Sequence, residues 1–413
     1  MSITKPSEQH RAQALANLHG LIICSNSAAH LWPLSREHAP LELMVDVSSG
    51  LSLLAKAIMA LAPYCERPLF IATPLEIAPL IEAHIRDQGL LEPHEYQLLV
   101  EPHPRGSALT VALASATMKL ADPHTILVCL PANVAFDADS RWEQALKKCH
   151  AAAQADKIAL IGSSVPPQNR PPHEQNRSSW ELGHPALDAQ QHNDKSVPML
   201  GSIHLGLESK EIEGVFAVRG FIARPAPPVA WRAQQSKSPW STHIFMLKAD
   251  LALAEMRGAE QRFDEAPKRA VGRIAETARF FVSLGDSHWN STDALRLVDT
   301  LPDLSFEEAV CESSAHLVAV PTSIEFWDLT SLEGYARFFA ADTKNNRLQG
   351  NILAVDTSNT TVISDSDKLV VTLGLADAMV IDTPDATLIA SKQALASMPG
   401  VIAALRAANA PEL

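Results

Sequence analysis

Residues 21–36 read Leu-Ile-Ile-Cys-Ser-Asn-Ser-Ala-Ala-His-Leu-Trp-Pro-Leu-Ser-Arg: an apolar run, a polar loop and a second mostly apolar segment. The first run, Leu21–Cys24, is typical of a buried strand. In α/β proteins, the loop after such a strand is where phosphates commonly bind. The stretch therefore predicts an α/β fold with a nucleotide-type site after this strand.

The loop itself has unusual chemistry for that task. Residues 24–30, Cys-Ser-Asn-Ser-Ala-Ala-His, contain no glycine, arginine or lysine. Glycine allows positive φ and close backbone approach to phosphates, and a fixed cation balances their charge. His30 is a weak substitute for such a cation, since an ordinary imidazole is largely neutral at pH 7. The sequence thus keeps the place of a phosphate site and lacks its usual groups.

Composition narrows the classes of function. The chain has 413 residues with a formal charge of -13, which argues against nucleic acid as the main partner. No apolar run reaches the length of about 18 residues that a membrane span needs, and the polar N-terminus does not resemble a signal peptide. The five cysteines are scattered with no C-x-x-C pair, which suits a reducing cytoplasm and argues against a zinc site. Cys24 and Cys129 lie in apolar strand-like segments and are expected to be buried thiols.

Alternating patterns predict a doubly wound α/β sheet over the first part of the chain, with the ligand at the carboxyl ends of the strands. The predicted strands are Leu21–Cys24, Leu69–Ala72, Gln97–Val100, Ile126–Leu130 and Ile158–Ile161. The predicted helices between them are Leu51–Leu61, Glu76–Asp87, Ser107–Leu120 and Ser140–Gln154.

The later segments differ in composition and in hydrophobic pattern. Residues 165–197 are proline-rich and polar and predict a long mobile surface loop. Strand-like segments follow at Ser202–Gly206 and Gly214–Ala223, and a helix-rich stretch covers Lys248–Val298. Short β-branched runs from Ile352 to Ala390 predict a small β-rich domain of regularly spaced strands, and Ser391–Ala408 predicts a closing helix. The predicted domains are therefore residues 1–345 and 346–413, and no repeat of fixed length stands out.

Six segments resemble, in the same order, the motifs of one family. They are Leu31–Arg36 (second half of the signature loop), Glu101-Pro102 with Arg105 and Ala108 (E-P-x-G-R-N-T-A), Leu130–Ala132 (L-P-A-D), Trp240 with Ile244-Phe245 (W-N-S-G-I-F), Ser305 with Ala309-Val310 and Glu312 (S-I-D-x-A-V-x-E), and Phe326–Asp328 with Ser331 (W-S-D-V-G-S). Residues 382–386, Asp-Thr-Pro-Asp-Ala, resemble the linker that follows the family's catalytic domain. With these segments the chain resembles the bacterial mannose-1-phosphate guanylyltransferases, or GDP-mannose pyrophosphorylases, from about Leu21 to about Ile402.

The resemblance implies a Rossmann-like nucleotide-diphospho-sugar transferase domain followed by the β-rich domain. It also implies attack of a sugar 1-phosphate on a nucleoside triphosphate, with Mg²⁺ as the cofactor if the protein is active and none otherwise. Catalysis of that reaction rests on positioning and charge neutralisation. GTP or GDP-mannose would be the ligand, and a homo-oligomer is expected.

The chain departs from the family at the positions that carry this chemistry. Residues 25–30 stand in place of the phosphate loop G-G-x-G-T-R, Leu41 stands in place of a lysine, and Asn133 stands in place of a metal-binding aspartate. In the sugar-contacting segments, Ala223-Arg224-Pro225 stands in place of E-K-P, and Ser241 stands in place of the asparagine of W-N-S-G. The family's G-Y-G-Y segment has no clean counterpart near residues 177–183. An amide is a far poorer Mg²⁺ ligand than a carboxylate. Asp328 keeps the position of the family's second metal-binding aspartate, although a turn aspartate is an equal interpretation.

The candidate site residues follow from these positions. Candidates for the nucleotide are Ser25, Asn26, Ser27, His30, Glu101 and Arg105, those for the sugar are Arg224 and Ser241, and that for the metal is Asp328, whose partner position is Asn133. His30, Leu41 and Asn133 mark the degenerate positions, so no residue is assigned a catalytic role.

Three hypotheses remain open on sequence alone. The first is a pseudoenzyme that regulates or scaffolds an active pyrophosphorylase or another polysaccharide-synthesis enzyme. The second is an active nucleotidyltransferase with unusual ligands, in which Asp328 holds the metal and Arg36, Arg105 or Arg224 supplies positive charge. The third is a sugar-nucleotide-binding module without catalysis.

Overall fold

The computed structural model describes residues 14–24, 31–36, 39–46, 50–101, 103–164, 200–226, 229, 238–262, 268, 270–284 and 292–412. The chain forms two compact units. The first comprises residues 1–26, 42–166 and 199–326, and the second comprises residues 27–41, 167–198 and 327–413. The predicted boundary at 345/346 stays a prediction. The predicted loop at 165–197 lies outside the described residues.

Nineteen strands occur among the described residues. They are β1 (Leu18–Ile23), β2 (Val45–Asp46), β3 (Leu51–Ser52), β4 (Glu66–Pro74), β5 (Tyr96–Glu101), β6 (Ile126–Pro131), β7 (Val134–Phe136), β8 (Ile158–Ser163), β9 (Ser202–Glu208), β10 (Phe216–Ile222), β11 (Trp240–Lys248), β12 (Leu317–Thr322), β13 (Phe326–Asp328), β14 (Arg347–Gln349), β15 (Ile352–Val355), β16 (Thr361–Ser364), β17 (Val370–Leu373), β18 (Ala378–Asp382) and β19 (Thr387–Ser391).

Ten α-helices occur in the same described part of the chain. They are α1 (Leu53–Leu61), α2 (Ala78–Asp87), α3 (Gly106–Ala121), α4 (Ser140–Gln154), α5 (Ala249–Arg257), α6 (Ala259–Arg262), α7 (Val271–Leu284), α8 (Thr292–Asp299), α9 (Leu332–Arg337) and α10 (Met398–Ala407). A π-helical turn covers Glu307–Cys311, and 3₁₀ turns cover Leu41–Leu43 and Lys392–Ser397.

The first unit is built on one sheet of nine strands in the order β5-β4-β1-β6-β11-β8-β12-β10-β9. The first four of these are parallel to one another. β11 lies between β6 and β8 and is antiparallel to both. The chain order reverses between β1 and β6, since β4 and β5 lie on one side of β1 and β6 on the other. This reversal is where open α/β sheets bind ligands.

Side chains alternate across the strands and fill one core on each face of this sheet. Leu21, Leu127 and Cys129 belong to the core that contains α3, α5 and α7. Ile22 and Val128 belong to the other core, with α1, α2 and α4. The cysteines at 24, 65, 129, 149 and 311 are all buried free thiols, which confirms the prediction for Cys24 and Cys129.

The ends of these helices follow from local sequence. Ser52 caps α1, because its hydroxyl accepts from the Ala55 amide at 3.0 Å. Asp139 caps α4 in the same manner through the Arg141 amide at 2.8 Å. These caps fix where α1 and α4 begin, close to the predicted positions. No described helix is long and apolar enough to cross a membrane.

The second unit contains stacked short strands from the C-terminal part of the chain. β14, β16 and β18 form a parallel ladder, β19 joins it antiparallel, and β15 pairs in parallel with β17. The paired residues Ile352 and Val370 are eighteen residues apart, and so are Thr361 and Met379. The β-rich domain is therefore a coiled stack with a repeat that the sequence patterns did not reveal. The predicted closing helix is a 3₁₀ turn followed by α10.

Two inner strands were missing from the sequence prediction. β11, with the sequence WSTHIFMLK, is interrupted by polar residues at an irregularity of its pairing between Ser241 and Phe245. β12 contains Pro321. Both features weaken a strand pattern, although each strand lies inside the sheet.

Candidate functional site

The carboxyl ends of β1 and β6 meet at the sheet's reversal. The Ala132 amide after β6 donates to the Ile23 carbonyl oxygen at 2.9 Å, which joins the two strand ends. The predicted phosphate loop follows β1 directly, and its candidates Ser25, Asn26, Ser27 and His30 lie outside the described residues, as does the segment near 177–183. Their roles stay predictions.

Asn133 lies half-buried in the turn between β6 and β7, at this same edge. Its amide offers a neutral oxygen where Mg²⁺ prefers a carboxylate. Within the part of the chain that the structure describes, no three His, Cys, Asp or Glu residues group as a metal site would require. A magnesium site that includes Asn133 therefore stays a prediction.

Asp328 belongs to the second unit, where β13 ends. Its Oδ1 accepts from the Thr330 amide at 3.0 Å, an arrangement typical of an aspartate in a turn. The structure thus gives Asp328 a local backbone role, and a metal role stays a prediction.

Glu101 ends β5 as a buried carboxylate. Burial raises its pKa to about 7, although a hydrogen bond with Thr110 opposes the shift. Its Oε1 has no hydrogen-bond partner among the described residues. A half-protonated carboxyl group at neutral pH both donates and accepts hydrogen bonds, which suits recognition of a polar ligand.

Arg105 immediately precedes α3, where the predicted E-P-x-G-R-N-T-A segment enters its helix. Its Nη2 donates to Asp299 Oδ1 at 2.8 Å, and His103 Nδ1 lies 3.0 Å from the same oxygen. Hydrogen bonds from Arg105 and His103 hold the pKa of Asp299 below its ordinary value. The guanidinium of Arg105 is thus engaged by α8 at the end of that helix.

Two of the resembling segments and the residues in place of E-K-P converge near the start of β11. The register places Phe245 opposite Cys129, so the amino end of β11 lies beside the carboxyl end of β6. Ser241 Oγ donates to Glu307 Oε1 at 2.5 Å. The Ala223 amide after β10 donates to Glu312 Oε1 at 3.0 Å. Residues 223–225, 240–245 and 305–312 therefore form one polar cluster, which we call the bulge cluster.

The local sequence explains the acidic turn in this cluster. Ser305 and Glu308 form a capping box, in which the Glu308 amide donates to Ser305 Oγ at 3.2 Å and the Ser305 amide donates to Glu308 Oε2 at 3.0 Å. The π-helical turn then begins at Glu307. Such turns are rare and frequent at functional sites.

The candidate Arg224 pairs with this turn. Its Nε lies 3.2 Å from Glu308 Oε1, with 71% of the arginine side chain exposed. Lys268 Nζ lies 2.6 Å from Glu312 Oε2 in a second ion pair. The carboxylates at 308 and 312 thus each bind a cation of the same unit.

His243 is the member of the cluster that sequence reasoning missed. Its Nδ1 bonds Glu307 Oε2, and its backbone has φ +60. Burial opposes ionisation of Glu307, yet the charge of His243 and hydrogen bonds from His243 and Ser241 outweigh it and lower the pKa of Glu307. Aligning W-S-T-H-I-F with W-N-S-G-I-F would have flagged this residue, since the histidine stands at the motif's glycine.

The remaining candidates lie in the second unit. Leu41 is buried, as its apolar side chain requires, and offers no charge. Arg36 bonds Asp385, and its Nη2 also donates to Thr383 Oγ1 at 2.6 Å. Trp32 Nε1 donates to the Glu412 carbonyl oxygen at 2.9 Å. The second half of the signature loop is therefore anchored to the C-terminal segment, including the turn of residues 382–386.

Comparison with known families matches both parts of the chain. The sequence model of a family described as nucleotidyl transferase matches residues 19–170. A second family, described as a MannoseP isomerase/GMP-like beta-helix domain, matches residues 350–397. The latter agrees with the coiled stack of short strands in the second unit.

Curated relatives match almost the full length of the chain. The alginate biosynthesis protein AlgA of Pseudomonas aeruginosa is 25% identical over 397 residues, which cover 95% of this chain and 73% of the relative. A putative mannose-1-phosphate guanylyltransferase of Vibrio cholerae is 25% identical over 399 residues, which cover 95% of this chain and 75% of the relative.

A solved structure shares the fold. The crystal structure named as mannose-1-phosphate geranyltransferase from Thermus thermophilus superimposes with a TM-score of 0.71 at 20% sequence identity. It covers 94% of this chain, and this chain covers 99% of it. The α/β fold with a β-rich C-terminal part, expected from sequence, is confirmed.

Proposed function

The chain belongs to the mannose-1-phosphate guanylyltransferase family, and from that premise we propose that it is a guanylyltransferase-like protein of polysaccharide-precursor synthesis with weak or lost turnover. In this proposal it binds a sugar nucleotide such as GDP-mannose. It acts as a regulatory or scaffolding subunit beside an active pyrophosphorylase or another polysaccharide-synthesis enzyme in the cytoplasm.

One observation carries the proposal: the arginines that could replace the family's phosphate cations are engaged with carboxylates of the protein itself. Arg105 binds Asp299, Arg224 binds Glu308, and Arg36 binds Asp385. A guanidinium that already has an anionic partner must give it up before it can neutralise a phosphate. The second hypothesis needs these charges to be available to one substrate.

The expected loss of rate is large. Removing one preorganised contact to a reacting oxyanion costs about 3–4 kcal/mol, or about 10²–10³ in rate. Leu41 removes one cationic position and Asn133 removes one metal carboxylate. Even with strong non-additivity between these positions, turnover by the family's mechanism should be very low.

The active-enzyme hypothesis has one observation in its favour. Arg224 is mostly exposed, and exposed ion pairs contribute only about 0–1 kcal/mol, so a substrate phosphate would displace Glu308 at little cost. In that case Arg224 would serve as the substrate-binding cation in the bulge cluster.

An assay of pyrophosphate release from GTP, mannose 1-phosphate and Mg²⁺ separates these two functions. We expect a rate at least about 10³ below that of an active family member measured in parallel. A rate within tenfold of that enzyme, lost in Asp328→Ala, would establish the active alternative instead.

A thermal-shift titration with GDP-mannose tests the binding part of the proposal. A bound ligand raises the melting temperature in a concentration-dependent manner, by the equivalent of about 2.7 kcal/mol at a hundred times Kd. No shift would leave only the scaffolding role. Size-exclusion chromatography with light scattering tests the homo-oligomer that family membership favours.

A further inference from the structure

His243 occupies a backbone conformation that side chains rarely adopt. Its φ is +60, within the irregular stretch of β11 between Ser241 and Phe245. The Thr242 hydroxyl donates to the Ile161 carbonyl oxygen at 2.8 Å and holds this bulge on β8. Non-glycine residues are uncommon in this region of φ, and such strain clusters at functional sites. Glycine would fit the same backbone without strain.

The side chain links the bulge to the π-helical turn. Nδ1 of His243 bonds Glu307 Oε2, while Ser241 Oγ binds the other carboxylate oxygen. Because the two ring nitrogens of an imidazole point in different directions, this bond turns Nε2 away from Glu307. The histidine side chain is 29% exposed, whereas that of Glu307 is 5% exposed. The imidazole is therefore the more exposed member of this pair.

Among the charges that the structure describes around His243, positive and negative balance only when the histidine carries a proton. Three carboxylates of the turn, at 307, 308 and 312, face two permanent cations, Arg224 and Lys268. A protonated His243 supplies the third positive charge, and a neutral one leaves the cluster with one net negative charge. The described titratable or charged groups near the ring and Glu307 are Glu308, Cys311, Glu312, Arg224 and Lys268. Cys129 of β6 and Glu255 of α5 act on Cys311 from the elements packed against the turn, and Glu255 forms an ion pair with Arg262.

A net negative charge matters because of where the cluster lies. The amino end of β11 adjoins the carboxyl end of β6, at the edge where the ligand of an α/β sheet binds. Like charges repel each other strongly near a protein surface, so one uncompensated carboxylate disfavours an anion there.

We propose that His243 controls the charge of the sugar-phosphate end of the site, so that its protonated form admits an anionic sugar nucleotide and its neutral form disfavours one. The inference rests on the proposed function in one respect, that the protein binds a sugar nucleotide. His243, at the glycine position of W-N-S-G-I-F, is then a specificity-determining residue. When protonated, its imidazole supplies one positive charge in place of a permanent cation of the family.

Isothermal titration with GDP-mannose at about pH 6 and pH 8 tests this, since an ordinary imidazole changes charge in that range and the diphosphate diester does not. We expect wild-type affinity to fall about tenfold from the lower to the higher pH, as for loss of one charged interaction. Asparagine tolerates φ +60 and does not change charge in this pH range. In His243→Asn, affinity should therefore stay within about twofold across the range and match wild type at pH 8.

His316→Asn is the matched control. This histidine precedes β12, at the opposite edge of the sheet, with Nε2 3.9 Å from Glu255 Oε1. Its variant should keep the wild-type pH dependence. Melting temperatures of all three proteins verify folding at both pH values.

The possible results distinguish a failure of the role of His243 from a failure of the proposed function. Wild type that binds GDP-mannose with equal affinity at both pH values, or His243→Asn that keeps the tenfold change, overturns the role of His243 and leaves the proposed function standing. Wild type without measurable binding at either pH overturns the sugar-nucleotide part of the proposed function and this inference with it.

Discussion

Two buried carboxylates, Glu307 in the first unit and Asp382 in the second, are each held by several donors, yet the backbone around them differs. Asp382 ends a regular strand, and its oxygens bind Ser366 at 2.6 Å, Thr387 at 2.8 Å and Lys368 at 3.0 Å. Glu307 begins a π-helical turn and binds a histidine with positive φ.

The two carboxylates therefore differ in the backbone that their partners require. Hydrogen bonds to Asp382, first that of Ser366, outweigh its desolvation and lower its pKa to about 2. All its partners lie in ordinary strand or turn backbone, so the network stabilises the coiled stack. The network of Glu307 includes strained backbone, which costs stability. The two arrangements should therefore contribute differently to stability.

The largest effect is expected from Asp382→Ala. This change leaves the hydroxyls of Ser366 and Thr387 and the Lys368 ammonium without their shared acceptor. We expect a loss of about 2–4 kcal/mol in the free energy of unfolding, measured by urea denaturation. Asp367→Asn, at an exposed neighbouring position, should change it by less than about 0.5 kcal/mol. An equally small change in Asp382→Ala would remove the contrast.

The pH dependence of stability is the second test. Because the folded pKa of Asp382 is about 2, below its ordinary value of 3.8, its contribution is fully present above about pH 4 and is lost as the pH falls towards 2. Between pH 5 and pH 2, wild type should lose about 2 kcal/mol more stability than Asp382→Asn. Parallel stability curves for the two proteins would contradict the assignment.

A smaller loss is expected from Glu307→Gln. Glutamine keeps the shape and the acceptor for Ser241, and only the charge-assisted bond to His243 is weakened. Urea denaturation should give a loss of about 1–2 kcal/mol. A loss above that of Asp382→Ala would place Glu307 among the residues that support the fold.

The smallest effect is expected from His243→Gly. Glycine relieves the strain at φ +60, which offsets the loss of the partner of Glu307, so stability should stay within about 1 kcal/mol of wild type. Differential scanning calorimetry measures this, and His243→Ala, which keeps the strain without the imidazole, should be the less stable of the two variants. The reverse order would show that the backbone is relaxed there.

Local sequence predicted the outer part of the first unit well. Helix α4 has the predicted bounds Ser140–Gln154, because Asp139 supplies its cap. The strands flanking the reversal were predicted within a few residues, since β1, β4, β5 and β6 are continuous apolar runs. What failed was the inner antiparallel strand β11, whose bulge breaks the apolar pattern and whose pairing depends on distant residues.

The sequence indicated which segments carry the candidate site residues, but not which residues they contact. The roles of Arg105, Arg224 and Ser241 in a site stay predictions, and their partners Asp299, Glu308 and Glu307 lie 66 to 194 residues away along the chain. No local pattern reports such a pairing. His243 was missed because a single histidine between apolar residues is ordinary until its φ is known.

The eighteen-residue spacing of the second unit sets a rule for changes in length. Partners in β15 and β17, and in β16 and β18, stay aligned only if the intervening chain makes one whole circuit. Deleting or adding a single residue would swap inward and outward side chains along every strand that follows, whereas adding a full circuit would preserve them. Arg347 pairs with Thr361 fourteen residues later, so circuits of two lengths coexist in this stack while the inward and outward faces of the strands stay in step.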